Sequence, residues 1–403
     1  MKQTGFLTGN HQNIAKVNKA LVLRYIKERG PISAPELAEI LNLSTSTTMI
    51  YIRQALKDGL VQVDRIGQSS GGRKPTLFRF NPSTGVVLCM EIETSHILAA
   101  IVDFEGTIVN SVIHPISRSD PKTVIKESIS LAKSLLLQFP NTKPILGIGV
   151  SCPGTVDFKE GVVVKAINLK WYEPVPLAAP ISHALKLPVY VYNDAYAAAL
   201  GEKYFGAGKN VHNLVYVMLE TGIGAGLIVN DNIYSGTAGN AGNIGHSIVV
   251  KDGLACPCGN HGCLEAYCSE PAIVSRIMNI YLANYGPRIN LDSLTQIRTL
   301  EQAIESANNG DQIAANALSE AGSYLGIALL NLAQILVPEL IVMGELISLS
   351  NHIIQPVRDT LAQRFTYNLK IEVSTLGRKA KILGVATGLM ERALGPSIIE
   401  SRG

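Results

Sequence analysis

The chain lacks the features of membrane and secreted proteins. No uninterrupted apolar run among its 403 residues reaches the about 18 residues of a transmembrane helix. The first residues, MKQTGFLTGNHQ, lack the apolar segment of a signal peptide. A hydrophobic content of 47% is typical of a soluble globular protein, and the length suffices for two or three domains. We therefore expect a cytoplasmic protein with no membrane partner.

Cysteines are few, and their distribution does not indicate a disulfide framework. Cys89, Cys152 and Cys268 each stand alone among apolar or small residues, which is typical of reduced, buried thiols. Nothing in the cysteine pattern implies secretion.

The other three cysteines lie within eight residues, at C-x-C-x4-C spacing on a glycine-bearing loop: Cys256, Cys258 and Cys263. Zn²⁺ prefers four Cys or His ligands at about 2.0 to 2.3 Å, and three thiols on one loop can converge on a single ion. The sequence therefore predicts a structural zinc site whose fourth ligand is a histidine. From spacing alone, His246 and His261 both qualify.

Positive charge is concentrated at the N-terminus. Residues 1–80 hold 12 Lys and Arg against 5 Asp and Glu, a net charge of +7, whereas the remaining residues hold 23 against 27, a net charge of −4. Nucleic acid is the natural partner of such a basic module.

Three helices are predicted in this basic module. Apolar residues recur at helical spacing over residues 13–29, and Ser33 stands three residues before Glu36 in a capping box that opens a second helix. Ser44 can cap a third helix that ends at Gly59. This spacing is typical of a helix-turn-helix, whose third helix enters the major groove.

The segment VQVDRIGQSSGGRKPTLFRF then predicts two strands around a glycine-rich tip, the outline of a β-wing. Hydroxyl groups at the start of the third helix can bind phosphates or base edges, and basic residues of the wing can reach a minor groove. The residues expected to contact DNA are Ser44, Thr45, Ser46, Thr47, Thr48, Tyr51, Arg53, Arg73 and Lys74. The alternative is a small helical interaction domain with a solvated basic face.

From residue 86 onward, β-rich segments alternate with helical patterns. Residues 86–92 and 97–102 predict a hairpin, and a second series of strands begins at 214–219 and 225–229. Two α/β halves, with an insertion in the second, indicate a cleft between two lobes.

Six segments resemble motifs of the ROK family (repressor, open reading frame, kinase), and the resemblance covers nearly the full length. They are CPGTVD at 152–157, AINLKW at 166–171, VYNDAYAAALGE at 191–202, TGIGAG at 221–226, GNAGNIGH at 239–246 and CPCGNHGCLE at 256–265. The last segment is highly specific, whereas TGIGAG alone is a weak signal.

The resemblance implies an α/β chain with two domains. A winged helix-turn-helix, residues 1–82, precedes a duplicated actin-like ATPase (ribonuclease H-like) domain, residues 83–403. Its two lobes are expected at 83–200 and 201–403, with the zinc loop at 246–265.

The resemblance also implies a sugar site. In the family's sugar kinases an Asn-Asp pair touches the sugar and the Asp is the general base; these positions match Asn193 and Asp194. The implied effector-binding set is Asn168, Asn193, Asp194, Asn243, His246 and Glu265. The implied zinc ligands are His246, Cys256, Cys258 and Cys263, which leaves His261 as a surface residue. Without the resemblance, such polar residues would be expected to cap strand ends.

Two departures from the family pattern matter. Asn243 stands where the family usually has Glu, which leaves the identity of the sugar open. Both glycines of the first phosphate loop are lost, and Glu220 replaces the usual glycine at the front of the second, so Glu93 and Glu220 would face the phosphates of a nucleotide. Like charges so placed cost on the order of several kcal/mol unless a cation intervenes.

We therefore expect a sugar-responsive transcriptional regulator, a repressor of carbohydrate-utilisation genes, with a non-catalytic sensor domain and structural zinc. Its expected partners are operator DNA, a monosaccharide or sugar phosphate, and further copies of itself in a homodimer or dimer of dimers. One alternative is a sugar kinase with a DNA-binding domain. Another is a regulator whose large module docks a transport protein.

Overall fold

A computed structural model describes residues 11–67, 74–140, 143–285, 297–362, 365 and 367–394. The first domain is a helix-turn-helix followed by a two-stranded wing. Its elements are α1 (His11–Arg29), β1 (Ile32–Ser33), α2 (Ala34–Ile40), α3 (Thr45–Lys57), β2 (Val61–Ile66) and β3 (Thr76–Phe80). β3 pairs with both other strands in the order β1-β3-β2.

Both helix starts expected in this domain are confirmed. The Glu36 amide donates to the Ser33 hydroxyl, and the Ser33 amide donates to the Glu36 carboxylate, which completes the capping box of α2. The Ser44 hydroxyl accepts from the Thr47 amide at 3.0 Å and so caps α3. The tip of the wing, including Arg73, lies outside the described residues.

The next segment forms a first α/β unit. Its elements are β4 (Val86–Ile92), β5 (His96–Asp103), β6 (Ile108–Pro115), α4 (Pro121–Gln138), β7 (Ile145–Cys152), β8 (Thr155–Asp157), β9 (Val162–Lys165), β10 (Val175–Pro176), α5 (Ala178–Leu185) and β11 (Val189–Asn193). The main sheet has the order β11-β7-β4-β5-β6, and the small strands form a second sheet, β10-β9-β8.

The remaining chain builds a second α/β unit. Its elements are α6 (Asp194–Phe205), β12 (Leu214–Leu219), β13 (Ile223–Val229), β14 (Asn232–Ile233), α7 (Glu265–Cys268), α8 (Glu270–Tyr285), α9 (Leu300–Asn308), α10 (Gln312–Leu336), β15 (Leu340–Met343), α11 (Glu345–Ser348), α12 (Asn351–Leu361), β16 (Lys370–Val373) and α13 (Lys379–Leu394). The sheet order is β14-β13-β12-β15-β16.

The two five-stranded sheets share one topology, which confirms the expected duplication. In each sheet the first strand, β4 or β12, pairs antiparallel with the next strand and parallel with a strand reached by a crossover. Polar loops follow the carboxyl ends of these parallel strands, where ligands of α/β proteins commonly bind.

α6 and α13 pack together in close backbone contact. A Cβ on Gly384 would lie 1.6 Å from the Ala197 carbonyl oxygen, and a Cβ on Gly201 would lie 2.2 Å from that of Ala380. Only glycine therefore allows the two helices to approach so closely. The lobe boundary expected at residue 200 falls within α6, and α13 packs on β4 and β7 of the first sheet.

The winged helix shares a hydrophobic core with the first sheet and α13. Phe80 of the wing stacks on Phe104 at 5.0 Å between ring centroids, and both side chains are buried. Lys27 of α1 lies 5.8 Å from the Phe104 ring and 3.5 Å from the Met390 sulfur of α13. The winged helix is therefore joined to the larger domain by side-chain packing as well as by the chain itself.

The described residues contain one helix long and apolar enough to cross a membrane, α10. Its buried residues include Leu318, Leu325 and Leu329, which belong to the core of the second unit. Packing inside the protein accounts for its apolar sequence.

Candidate effector site and metal centre

Four metal-ligating side chains converge on the loop before α7. The Nδ1 atom of His246 and the sulfurs of Cys256, Cys258 and Cys263 all lie within 4.8 Å of one another. Two of these separations are 3.7 Å, between the Cys258 and Cys263 sulfurs, and 3.8 Å, between the Cys256 sulfur and His246 Nδ1. A tetrahedral zinc ion with ligands at about 2.0 to 2.3 Å holds its ligand atoms roughly 3.4 to 3.8 Å apart.

The loop geometry depends on two glycines with positive φ, Gly259 at +99° and Gly262 at +80°. A Cβ on Gly262 would lie 1.7 Å from the Val250 carbonyl oxygen. Burial raises the pKa of Cys263 to about 12, and the neighbouring thiols add to this effect. A divalent cation would offset the repulsion between thiolates. His261 is exposed and lies outside the four-residue cluster.

A cavity of about 300 Å³ adjoins this cluster, between the carboxyl ends of strands from both sheets. This volume is at the lower end of the range of small-ligand sites. All six residues expected to bind an effector line it: Asn168, Asn193, Asp194, Asn243, His246 and Glu265. The structure therefore brings together residues that are far apart in sequence.

Asp194 begins α6 and is 8% exposed. The Ala195 amide donates to its Oδ1 atom at 2.8 Å. Burial raises the pKa of Asp194 to about 7; Lys381 opposes this shift, whereas Glu220 and Glu93 add to it. A carboxyl group in this setting can accept or donate a hydrogen bond near neutral pH.

Asn193 has a structural role in addition to lining the cavity. Its Oδ1 atom accepts from the Tyr196 amide at 3.2 Å and caps α6, and its Nδ2 atom donates to the Gly154 carbonyl at 2.8 Å. The side chain thus fixes the loop after β7 against α6. Asn193 therefore has the capping role that would be expected of a polar residue at the end of a strand.

Three further residues surround the cavity on the side of the zinc loop. Glu265 accepts from the Ile223 amide at 3.3 Å, and the absence of a side chain at Gly222 and Gly245 leaves space beside its Oε2 atom. Asn243 is exposed, and its side chain makes no capping hydrogen bond. His246 directs Nδ1 toward the thiols, which leaves Nε2 as the ring nitrogen available to a ligand.

The inner end of the cleft contains a cluster of three carboxylates around one lysine. The Lys381 Nζ atom lies 3.3 Å from Glu91 Oε1, 2.5 Å from Glu93 Oε1 and 3.0 Å from Glu220 Oε1. The lysine side chain is 12% exposed, and it supplies the cation that the Glu93 and Glu220 charges require. Local sequence gave no sign of Lys381, which lies in GRKAKILG beside other basic residues.

The charges in this cluster are interdependent. Burial alone would lower the pKa of Lys381, but Glu220, Glu91 and Glu93 hold it well above its usual value. Burial raises the pKa of Glu91 to about 8 against the attraction of Lys381. Burial also acts to raise the pKa of Glu93, but Lys381 outweighs it and the net shift is downward. Burial also raises the pKa of Glu220, against the attraction of Lys381. Near neutral pH, Glu91 is therefore largely protonated, and the Lys381 ammonium group pairs with the ionised Glu93 carboxylate.

Most of the residues expected to contact DNA are accessible. Ser44, Thr45, Ser46, Arg53 and Lys74 are exposed. Thr47 and Tyr51 are half-buried.

Thr48 was expected to contact DNA but is buried in the structure. Its side chain is fully buried and its hydroxyl donates to the Ser44 carbonyl at 3.1 Å. Because the fourth helical position of α3 points toward the domain core, Thr48 stabilises the helix and does not face DNA.

Comparisons with known proteins agree with this architecture. The sequence profile described as ROK family matches residues 87–391, and a profile described as winged helix-turn-helix DNA-binding matches residues 19–62. The chain is similar to the xylose repressor of Caldicellulosiruptor bescii, with 33% identity over 387 residues that cover 93% of this chain and 96% of that protein.

Two solved structures are also similar. One is a ROK family transcriptional regulator, a homologue of the Escherichia coli MLC protein, with a TM-score of 0.82 and 24% identity, covering 94% of this chain and 96% of that chain. The other is a ROK family glucokinase from Streptomyces griseus in complex with glucose and AMPPNP, with a TM-score of 0.66 and 27% identity, covering 75% of this chain and 98% of that chain. The expected fold and the order of the two domains are confirmed.

Proposed function

The chain belongs to the ROK family, and from this premise we propose that it is a sugar-responsive transcriptional repressor. A winged helix within residues 1–82 binds operator DNA, and residues 83–403 form the sensor. The observation that carries the proposal is the convergence of six polar side chains on one cavity in a chain that also has a winged helix. Amides and carboxylates so placed can each bind neighbouring hydroxyl groups of a sugar.

The effector we propose is a neutral monosaccharide of the xylose type, because a repressor of similar length and 33% identity is named for xylose. Asp194 and Glu265 accept hydrogen bonds from sugar hydroxyls, and His246 Nε2 contributes a further polar contact. Asn243 offers both a donor and an acceptor, and so selects for a different hydroxyl arrangement from the usual Glu.

We also propose that His246, Cys256, Cys258 and Cys263 bind one structural zinc ion. Four converging N and S ligands, with no position left open, match the structural class of zinc site. When bound, the metal would fix the ring of His246 in the orientation in which Nε2 faces the cavity. We expect this protein to act in the cytoplasm as a homodimer or dimer of dimers, whose two-fold symmetry matches paired operator half-sites.

A thermal-shift panel of monosaccharides and their terminal phosphates, the 5-phosphates of pentoses and the 6-phosphates of hexoses, tests the sensor. We expect xylose to raise the melting temperature of the wild type and to have little effect on Asp194→Ala. Stabilisation by a different sugar would revise the identity of the effector. Silence across the whole panel would contradict the sugar-sensor proposal and favour docking of a transport protein.

Fluorescence anisotropy with DNA from upstream of the protein's own gene tests the regulator. We expect affinity to fall steeply between about 50 and 200 mM salt, because phosphate contacts release counterions. The double variant Arg73→Ala, Lys74→Ala should weaken binding and reduce the slope of log affinity against log salt by about 2. An unchanged slope would contradict the assignment of these residues to DNA.

The similarity to a glucokinase makes sugar phosphorylation the second candidate function. Against it, Glu93 and Glu220, which contact Lys381, occupy the positions that match the phosphate loops of the family's kinases, so a nucleotide would add further negative charge beside them. ADP release with ATP and the stabilising sugar is the measurement. Turnover at ordinary enzyme rates, about 1 to 10³ s⁻¹, would establish a kinase.

A further inference from the structure

Lys381 connects parts of the cleft that belong to different sheets. Glu91 and Glu93 lie at the end of β4 and in the loop after it, in the first sheet, and Glu220 follows β12 in the second sheet. The same ammonium group contacts all three carboxylates. A change in the distance between the two sheets therefore has to break or remake at least one of these ion pairs.

The helix that carries Lys381 is fixed to the helix that carries Asp194. Gly201 and Gly384 allow near backbone contact between α6 and α13. Glu202 of α6, fully buried, accepts from the Ser374 hydroxyl and, at 3.2 Å, from the Leu376 amide in the segment before α13. Displacement of either residue in the cleft therefore moves the helix pair as a unit.

The opposite end of this helix pair reaches the winged helix. Tyr204 of α6 donates to Glu391 of α13, which joins the two helices again at this end. Met390 contacts Lys27 of α1, and Phe205 packs on the core shared with the DNA-binding domain. Lys381 and Met390 are nine residues apart, about 14 Å along the helix axis. The pair therefore spans the distance from cleft to DNA-binding domain.

We propose that Lys381, Glu91, Glu93 and Glu220 form an ion-pair latch between the two five-stranded sheets, and that α6 and α13 transmit its state to the winged helix. This inference rests on the proposed function and adds the residues that convert sugar binding into a change in DNA affinity. The sugar contacts Asp194 at the start of α6, so its binding energy acts directly on the helix pair. A ligand shifts such an equilibrium only through different contacts with the two states, and the sugar would obtain this difference from the position of Asp194.

The variant Glu220→Gln tests the latch. It breaks the arm to the second sheet and leaves Lys381 in contact with Glu91 and Glu93 of the first sheet, so the buried ammonium group keeps the Glu93 carboxylate as a charged partner. Glu301→Gln is the matched control, because it removes one carboxylate from the exposed Arg378 pair within the second unit. DNA affinity is measured by anisotropy without sugar and at a concentration of xylose, or of the sugar that stabilises the wild type, that saturates each variant.

The readout is the ratio of the two DNA dissociation constants, a quantity that lost stability alone does not change. A wild-type ratio within the usual range of about 5- to 150-fold is expected. Glu220→Gln should bring this ratio to within about two-fold of 1, and Glu301→Gln should preserve it. Lys381→Met removes the cation from all three arms, so it should also bring the ratio close to 1.

The outcomes separate the two proposals. A wild type whose DNA affinity does not respond to any sugar of the panel contradicts the proposed function itself. A responsive wild type together with an unchanged ratio in Glu220→Gln overturns the latch and leaves the proposed function intact. Melting temperatures of all variants verify that each is folded at the assay temperature.

Discussion

At the residue scale, the carboxyl group of Asp194 faces the cavity, and its burial lowers the stability of the folded protein. Its carboxyl group is buried beside Glu220 and Glu93, and Lys381 already contacts the carboxyl groups of Glu91, Glu93 and Glu220. A sugar hydroxyl donating to Asp194 would replace some of the solvation lost on burial. Ionisation of Asp194 therefore weakens the ligand-free protein, and a sugar bound at this residue would offset part of that cost.

The raised pKa of Asp194 makes the stability of the protein depend on pH. Between the ordinary value of about 4 and the folded value of about 7, the native state binds more protons than the unfolded state. Stability contributed by this group is therefore lost as pH rises through this window. Asp194→Asn cannot ionise, and should exceed the wild type in free energy of unfolding by on the order of 2 to 4 kcal/mol at pH 8, and by much less at pH 5.

Urea unfolding without sugar, at both pH values, is the measurement. Asp252→Asn, at an exposed turn position whose positive φ suits Asn, is the control and should follow the wild-type pH dependence. An Asp194→Asn variant that is equally destabilised at both pH values would contradict the burial of an ionisable group as the cause. The same variant should bind xylose more weakly, since an amide cannot replace a carboxylate as a double acceptor.

At the element scale, local sequence signals predicted those elements whose causes are local. The Ser33–Glu36 capping box and the Ser44 cap define the starts of α2 and α3 within the sequence itself. The strand at 214–219 has the predicted bounds because it is a short, wholly buried apolar run. Thr48 was misassigned because its neighbours are similar hydroxyl residues, and only packing of the helix decides which of them faces the core.

The zinc loop is an element whose stability is expected to depend on the metal. Cys258→Ser should lower zinc stoichiometry below one per chain, since three ligands bind a structural zinc far more weakly than four. Loss of even a hydrogen-bond partner of a ligand weakens metal binding by about 10- to 100-fold, so a lost ligand should cost at least as much. The melting temperature and the sugar affinity should both decrease, because His246 also lines the cavity.

Cys268→Ala is the matched control for this experiment. Cys268 is a buried thiol outside the cluster that donates to the Ala321 carbonyl, so the variant should lose stability and keep its zinc. Metal analysis and thermal melts with and without a chelator distinguish the two. A wild type that binds sugar fully without metal would contradict the link between zinc and the cavity.

At the scale of the whole molecule, the contacts that join the domains could not be predicted from the sequence. The need for a cation near Glu93 and Glu220 followed from their charges, but the identity of that cation as Lys381 depends on how α13 crosses the first sheet. The stacking of Phe80 on Phe104 likewise joins residues with no shared periodicity. Such contacts depend on tertiary packing. The six cavity residues could be predicted because they lie in, or match, motifs of the family.

The shared core predicts that the domain interface carries the sugar response. Phe104→Leu removes the ring that stacks on Phe80 and lies beside Lys27, at a cost of about 1 to 2 kcal/mol from lost stacking and packing. Phe139→Leu is the matched control, because Phe139 is a similarly buried ring in the core of the first unit, away from the winged helix. The two variants should lose similar stability by urea unfolding and keep similar sugar affinity by calorimetry.

They should differ in the effect of sugar on DNA binding. With a loosened interface, the winged helix no longer follows the helix pair, so Phe104→Leu should bind DNA with nearly the same affinity with and without saturating sugar. Phe139→Leu should retain the wild-type ratio of DNA dissociation constants. Both variants change the stability of the chain alike, but only Phe104→Leu changes the contact between its domains. Equal ratios in both variants would therefore mean that sugar acts on DNA binding by another route, such as rearrangement between copies of the chain.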